Sequence, residues 1–487
     1  MVPLIVLALY VAGLLTVGVI SSRKVKGQKD FTLAGGSLTP LVLTGTLLAT
    51  WTGTGSIFGN AEEAWRVGLP SLLLLASPVL GLLVLLFLIG PVRRRGRFTL
   101  QDVLEERFGP GARVLGSLTL VSAYLVIVSY QLRAASGALG RVLEVSELFP
   151  GGVDPGVLLV IMAVIIVVYT ALAGLMSVAR TDGINGLLML AGVALVLPLA
   201  WKAAGGIDGV LGQIPESSRH VGGHYSSFDL LSRLLPTLLL IVGDANLHQR
   251  FLAARSDSAA RKAVALLIPG VLILDAAILL SATAGRALFP ELDNPGHVML
   301  ELGLTTLTPI TGAILVAAIL AVIVSTADSY LLSASSSLVR DVYQRFVRPE
   351  ATEAQLLRMA RRCVFVVGAV ALVLAFSSDG FFKVSLLAYT IYGVGITPVL
   401  LAALFWKRAT PAGAITAMLT GGTLTALWEL REWSTPAVEA LGLEAGAEIG
   451  AVVPSVLAAT VALVGVSLVT RPRPGAPGDS ESAGSVA

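Results

Sequence analysis

Apolar runs recur along the whole chain, each closed by a short polar stretch. A helix needs roughly 20 apolar residues to cross the hydrocarbon layer, so the pattern predicts about thirteen membrane-spanning helices. The expected spans are 2–20, 38–66, 70–92, 112–138, 155–175, 182–203, 229–249, 263–286, 306–339, 359–376, 384–406, 411–430 and 447–469. One of them departs from the rest. From Val324 to Ser337 it reads Val-Ser-Thr-Ala-Asp-Ser-Tyr-Leu-Leu-Ser-Ala-Ser-Ser-Ser, continuing the apolar stretch that begins at Gly312. Lipid does not tolerate that row of oxygens, so it faces a protein interior or a watery cavity. On a helix, Ser325, Asp328 and Ser329 fall at i, i+3 and i+4 and share one face. Hard oxygen donors without thiolate or imidazole suit a hard cation such as sodium. Hydroxyl glue between packed helices is the alternative, and the embedded Asp328 favours an ion or solute path over it.

Two further spans have unusual interiors. The second contains Ala49-Thr50-Trp51-Thr52-Gly53-Thr54-Gly55-Ser56, and the seventh contains Gly243-Asp244-Ala245-Asn246. Glycine at mid-membrane loosens a helix, and the freed backbone groups must meet an ion, a substrate or a neighbour. These two spans lie five helices apart. Five is odd, so tandem five-helix units must have opposite orientation, and interrupted helices at matching places of inverted halves point to a transport site. Close helix packing is the competing use of these glycines, but Asp244 and Asn246 add polarity that packing does not need.

Composition agrees with a polytopic membrane protein: 55% of residues are hydrophobic and 13% charged. The single cysteine, Cys363, excludes an intramolecular disulfide framework and any cysteine-built metal site. Charge distribution tests the helix count. Of the 34 Lys and Arg residues, 25 fall in loops after odd-numbered spans, among them Arg93, Arg94, Arg95 and Arg97 after the third and Arg250, Arg255, Arg261 and Lys262 after the seventh. The alternate loops hold only Arg66, Arg141, Lys202, Arg219, Arg286, Lys383 and Arg431. Positive residues collect on the cytoplasmic side, so the N-terminus is expected outside and the C-terminus in the cytoplasm of a multi-pass plasma (inner) membrane protein. The first span lacks a basic stretch before it and reads as a true helix rather than a signal peptide. The Gly205–Phe228 segment is the longest external loop, the basic segment Arg340–Arg362 is expected to hold a short surface helix, and the Pro/Gly/Ser-rich tail after Thr470 reads as disordered.

Several motifs carry a family resemblance. The Ser325–Ser337 segment resembles the eighth core helix of the sodium/solute symporter family. Tyr169 to Asp182, ending in Thr181-Asp182, resembles that family's signature at the start of its fifth core helix. His248-Gln249-Arg250-Phe251-Leu252-Ala253-Ala254 is similar to its motif after the sixth, and Phe405-Trp406-Lys407-Arg408 with Gly413-Ala414 to the end of its tenth. Ala49-Thr50-Trp51 with Gly59-Asn60-Ala61-Glu62, and Ala327-Asp328-Ser329, resemble the choline transporter branch. The resemblance spans nearly the whole chain. It implies an all-α membrane protein with a five-plus-five inverted-repeat, leucine-transporter-like core. Residues 1–37 would be an extra helix and cytoplasmic loop, 38–406 the transport core (repeats 38–204 and 228–406), 407–470 two added helices and 471–487 the tail. It implies a secondary transporter that imports a small organic solute with sodium by alternating access, with no catalytic residues and no cofactor beyond the coupling ion.

The same resemblance supplies the expected sites. The main sodium site would use backbone carbonyls of Ala49, Thr52 and Val322 with the hydroxyls of Ser325 and Thr326. A second sodium site, present in some members such as sialic acid transporters, would use Asp182 with Ser325, Asp328 and Ser329; those members carry serine where this chain has Asp328. Asp182 and Asp328 would then form one coupled pair, since two close carboxylates cannot both stay charged without a cation. Substrate is expected near Trp51, Ser56, Tyr130, Asp244, Ala245 and Asn246. Trp51 matches a tryptophan that lines the cation pocket of choline transporters, and a quaternary ammonium takes an aromatic cage. Ala245 stands where that branch has an aromatic, with Asp244 beside it. A carboxylate near a partial cage favours a cationic or zwitterionic amine, with a monocarboxylate or amino acid as the alternative and a transport-silent membrane sensor as the alternative class. The implied partners are solute, sodium and the bilayer, with no nucleic acid and no obligatory protein partner.

The remaining polar residues are weaker signals. His220 and His224 read as an exposed loop pair rather than a metal site. Asp275, mid-span in the eighth helix, is either an ion-path residue or a buried hydrogen-bonded acid. Glu62 and Glu63 read as lining a solvated vestibule. Gly53-Thr54-Gly55-Ser56 is not a serine-protease site, because the one helix-associated histidine, His248, sits near the cytoplasmic end. The chain has no Walker motif for ATP-driven transport.

Overall fold

The computed structural model describes residues 2–22, 39–95, 99–145, 152–173, 175–377, 380–429 and 450–471. The first basic loop and the expected tail, Arg471 excepted, lie outside the described residues. The described chain is helical. Its elements are α1 (Val2–Ser22), α2 (Pro40–Trp51), a π-helical turn (Gly55–Asn60), α3 (Ala61–Val67) and α4 (Ala76–Arg94). There follow α5 (Leu100–Phe108), α6 (Pro110–Val145), α7 (Pro155–Ala173), α8 (Leu175–Ala203) and α9 (Gly206–Gln213). The second half holds α10 (Ser227–Gly243), α11 (Ala245–Leu252), α12 (Asp257–Leu288), α13 (Val298–Glu301) and α14 (Pro309–Ser337). It closes with α15 (Glu353–Ala375), α16 (Phe382–Phe405), α17 (Pro411–Glu429) and α18 (Val452–Val469).

A helix occupies each expected span. Length and apolar composition qualify eight of them to cross a membrane, or ten when each bent pair counts as one span. The helices α1, α15 and α17 complete the set without meeting that test. Several begin before their apolar run does, because caps rather than hydropathy set the start. Ser256 accepts from the Ala259 N–H ahead of α12, whereas α14, capped by Thr308, begins at Pro309, just inside its expected span. Reciprocal capping boxes open α10 (Ser226 with Asp229) and α15 (Thr352 with Gln355). The expected surface helix after Arg340 is instead a π-helical continuation of α14 over Leu338–Val347, and the Gly205–Phe228 loop carries α9 and a short 3-10 turn.

The molecule is organised around α14. Every residue from Leu315 to Ser337 is buried. It packs against α1, α6, α8 and α15, while α2 lies on α8 and α12, and α10 on α16 and α4. The hydroxyl row therefore meets protein on all sides, as its cost in lipid demands. Both expected interruptions exist. The helix formed by α2 and the Gly55–Val67 segment bends by 51° at Thr52–Thr54, and Asp244 separates α10 from α11 in extended conformation (φ −63°, ψ 111°).

Candidate functional site

The first break frees backbone oxygens where α14 can use them. At the end of α2 the Gly53 N–H turns back to the Trp51 carbonyl at 2.8 Å, and the Thr54 N–H goes to Gln131 Oε1 at 3.3 Å. The carbonyls of Ala49 and Thr50 thus lose their helical partners. Thr326 Oγ1 lies 3.4 Å from the first and 3.5 Å from the second. Gly53 makes this approach feasible, since a Cβ there would stand 2.8 Å from Thr326 Cγ2 and 2.9 Å from Gln131 Nε2. Ser325 stands immediately before Thr326 on the same helix and Val322 one turn before; both are buried. The Thr52 hydroxyl is returned to the Leu48 carbonyl at 2.9 Å. A cluster of carbonyl and hydroxyl oxygens with no sulfur or nitrogen donor is the chemistry a sodium ion takes.

Beside it, among residues of the second expected site, lies a buried ion pair. Asp182 accepts from the hydroxyls of Thr46 and Ser325, and Arg250 Nη2 stands 3.6 Å from its Oδ2. Arg250 does not belong to the cytoplasmic loop in which its charge was expected. The segment α11 resumes after the break and runs to Leu252, which keeps the guanidinium inside, at 0% exposure. It donates to Ser329 Oγ at 2.7 Å, to Thr46 Oγ1 at 3.2 Å and to the Asn246 side-chain oxygen. One guanidinium therefore joins α2, α8, α11 and α14. Asp328 accepts from the Thr170 hydroxyl of α7 and lies within electrostatic reach of Asp182.

At the second break, Asp244 is occupied structurally. It is the N-cap of α11, accepting from the Asn246 N–H at 3.1 Å and from the Tyr124 hydroxyl. The Ala245 N–H goes to Tyr392 Oη at 3.0 Å. Tyr124 stacks on Tyr392 with ring centroids 5.5 Å apart and meets Tyr330 edge-on at 4.6 Å. Three tyrosines thus surround the position where Ala245 removes the expected aromatic. Tyr130 reaches Tyr389 Oη at 3.4 Å, close to the first break. Trp51 donates its indole N–H to Asp275 Oδ2 at 3.2 Å, and the Ser56 hydroxyl faces the same carboxylate.

The Val67 end of the broken helix is closed. Glu62 and Glu63 are buried, at 6% and 4% exposure, so no solvated vestibule surrounds them. Glu62 Oε2 accepts the Phe381 and Phe382 N–H groups at 2.9 and 3.2 Å and caps α16. Glu63 takes Arg233 at 2.9 Å and the Tyr225 hydroxyl at 2.8 Å. Burial, and then the Glu63 charge, push the Tyr225 hydroxyl well above its ordinary pKa. Phe58 packs on Phe381 and His297, and burial holds the His297 imidazole below its usual value. His220 and His224 are exposed.

Of the residues expected to bind substrate, the structure gathers Trp51, Ser56 and Tyr130 at the first break and Asp244, Ala245 and Asn246 at the second. Sequence reading missed Thr46, Gln131, Arg250 and the tyrosines 124, 330, 389 and 392. Tyr330 sits inside the hydroxyl-rich motif and could have been found there. The others carry no local signal, because a tyrosine in an apolar span reads equally well as an interfacial anchor.

Comparison with known proteins places this geometry in a family. The model of the sodium:solute symporter family matches residues 31–421. The high-affinity proline transporter PutP of Bacillus subtilis (strain 168) is 28% identical over 430 residues, covering 85% of this chain and 89% of that protein. The sodium/pantothenate symporter of Escherichia coli (strain K12) is 28% identical over 414 residues, covering 82% and 84%. A Na+-coupled sialic acid symporter, solved in a substrate-bound outward-open state, superposes with a TM-score of 0.80 at 19% identity, covering 97% of this chain and 98% of that one. Mhp1, a nucleobase-cation-symport-1 transporter, gives 0.54 in a closed conformation at 16% identity, covering 90% and 94%. These structures establish the leucine-transporter-like fold. The relatives are proline and pantothenate symporters, which corrects the choline-branch assignment. The protein is a multi-pass, sodium-coupled secondary transporter rather than an enzyme, and the chain belongs to the sodium:solute symporter family.

Proposed function

We propose that this symporter takes up a zwitterionic amino-acid-type solute together with one sodium ion per cycle. The carrying observation is the convergence of Thr326 Oγ1 on the freed Ala49 and Thr50 carbonyls. Sodium there would bridge the broken helix and α14, with Ser325 and the Val322 and Thr52 carbonyls completing the set. Bound ion would hold the break in the shape that accepts solute, which couples the two fluxes. The second expected site, at Asp182, Asp328 and Ser329, already has a fixed cation. Arg250 donates to Ser329 and pairs with Asp182, so a second sodium would have to displace a guanidinium. The relatives' names, proline above all, support an amino or imino acid over a simple amine. The charge asymmetry supports an orientation with the odd-helix loops cytoplasmic and the N-terminus outside, and the family resemblance supports a core bounded as 38–406.

Purified protein in liposomes under an inward sodium gradient tests the reading. Labelled L-proline, leucine, choline, lactate and pantothenate should be separated by uptake, amino or imino acid first. Uptake that persists without sodium, or that favours lactate, would overturn it, and a solute that binds without crossing would make the protein a sensor.

A further inference from the structure

Among the described residues, Asp275 is the one acid with a fully enclosed carboxylate oxygen that makes no hydrogen bond. It lies mid-way along α12 within Leu272-Ile273-Leu274-Asp275-Ala276-Ala277-Ile278, at 2% exposure. An ionisable group in such a run is expensive and is retained for use. The other buried acids of the core are committed. Asp182 is taken by Thr46, Ser325 and Arg250, Asp244 by the α11 cap and Tyr124, Asp328 by Thr170, and Glu62 by the α16 cap. Asp275 Oδ2 receives the Trp51 indole at 3.2 Å and the Ser56 hydroxyl faces the carboxylate, while Oδ1 makes no hydrogen bond.

Its position gives this vacancy meaning. Trp51 and Ser56 flank the break in the first core helix, so Asp275 looks into the segment where backbone groups are free. The Tyr389 hydroxyl comes so close to Gly55 that a Cβ there would not fit, and that tyrosine lies within electrostatic reach of Asp275. The donors on this side, indole and hydroxyls, are neutral. A buried carboxylate with an open oxygen and only neutral neighbours is completed by a cationic N–H donor, which brings both the missing hydrogen bond and the missing charge. The indole ring, fixed by its own N–H to Oδ2, offers its face to the apolar and cationic part of the same group.

We propose that Asp275 binds the protonated amine of the transported solute and that Trp51, oriented by Asp275, is the positioning residue beside it. This rests on the amino-acid reading above and replaces Asp244, which is committed to capping α11. It also sets the specificity. A solute with a carboxylate but no cationic nitrogen leaves Oδ1 unpaired and faces an uncompensated negative charge, a discrimination larger than that from one missing methylene.

The test uses full-length protein in detergent and in liposomes. Binding is measured by sodium-dependent thermal shift for L-proline, the other common amino acids, choline, lactate and tetrahydrofuran-2-carboxylate, the oxygen analogue of proline. Wild type should bind a nitrogen-bearing member and reject its oxygen analogue. Asp275→Asn should weaken the amine-bearing ligand by about 10- to 100-fold, should change binding of the oxygen analogue far less, and should leave the thermal shift caused by sodium alone intact. That last measurement also shows that the variant folds. Trp51→Phe, which keeps the ring and loses the N–H, should fall between the two. A loss below about threefold in Asp275→Asn, an equal loss for both analogues, a lost sodium shift, or a wild type that binds no cationic-nitrogen solute would each overturn the proposal. Proline binding that survives Asp275→Asn would overturn the Asp275 assignment and leave the amino-acid reading standing, whereas choline binding that depends on Asp275 would overturn both, since a quaternary nitrogen has no N–H to give Oδ1.

Discussion

Replacing Arg250 by glutamine should open a sodium-responsive site at Asp182 that the native guanidinium fills. In the native protein the guanidinium is fully buried, 3.6 Å from Asp182 Oδ2, with hydrogen bonds of 2.7 Å to Ser329 and 3.2 Å to Thr46. Removing one partner of a buried ion pair costs about 3–5 kcal/mol, mostly because the remaining charge is stranded. Asp182, also at 0% exposure, would be that stranded charge. Sodium can take the vacated place, since Asp182, Ser325 and Ser329 then present oxygens without a competing cation. At a sodium concentration 100 times its Kd the recovery is about 2.7 kcal/mol, so sodium offsets most of the loss. The assay is the melting temperature across a sodium titration at constant ionic strength, paired with radiolabelled sodium flux per solute transported. Arg250→Gln should melt lower than wild type without sodium, rise more steeply with sodium, and carry more sodium per solute. The double variant with Asp182→Asn should lose that extra sodium dependence while regaining much of the stability, because no charge is left unpaired. An Arg250→Gln protein with wild-type melting in sodium-free buffer, or with an unchanged sodium slope, would refute the reasoning.

Alanine at Ser325 or Thr326 should raise the sodium concentration for half-maximal uptake by roughly tenfold, the effect of losing one ligand oxygen, while Thr326→Ser should remain near wild type; equal curves would remove Thr326 from the site. Glu62→Gln should weaken the α16 cap by about 1 kcal/mol, since a charged acceptor for two N–H groups becomes a neutral one. Thiol labelling of Phe58→Cys, placed under that cap, should then be faster than with Glu62 intact. Gly55→Ala should abolish uptake because its Cβ runs into the Tyr389 hydroxyl, and Tyr389→Phe should partly restore it; a second variant that adds further loss would show that the contact is not the cause.

The helices and their interruptions were legible because hydropathy and glycine act locally. An apolar run of sufficient length has no alternative to a helix in lipid, and Gly53 and Asp244 mark their breaks within a few residues of where the chain turns. The starts of α12 and α15 were read too late for an equally local reason. Ser256 and Thr352 are capping residues standing several positions ahead of the apolar run, and hydropathy gives such residues no weight.

Charges were harder, because sequence reports that a charge exists and packing decides what answers it. Arg250 follows an apolar span by one polar stretch, as a cytoplasmic-loop arginine does, so counting placed it in water. Only the re-formed helix α11 carries it inward to Asp182, a residue 68 positions earlier in the chain. The two aspartates at issue exchanged roles by the same logic. Asp244 stands at a visible break and invites a ligand, yet an N-cap needs that very residue type, and Asn246 and Tyr124 use it up. Asp275 stands in an unbroken apolar run with no motif around it, and its significance depends on Trp51, 224 positions away, reaching only one of its two oxygens. In a membrane interior water cannot satisfy what the protein leaves open. The open oxygen of Asp275 is therefore a stronger pointer to solute than the more conspicuous carboxylate at the break.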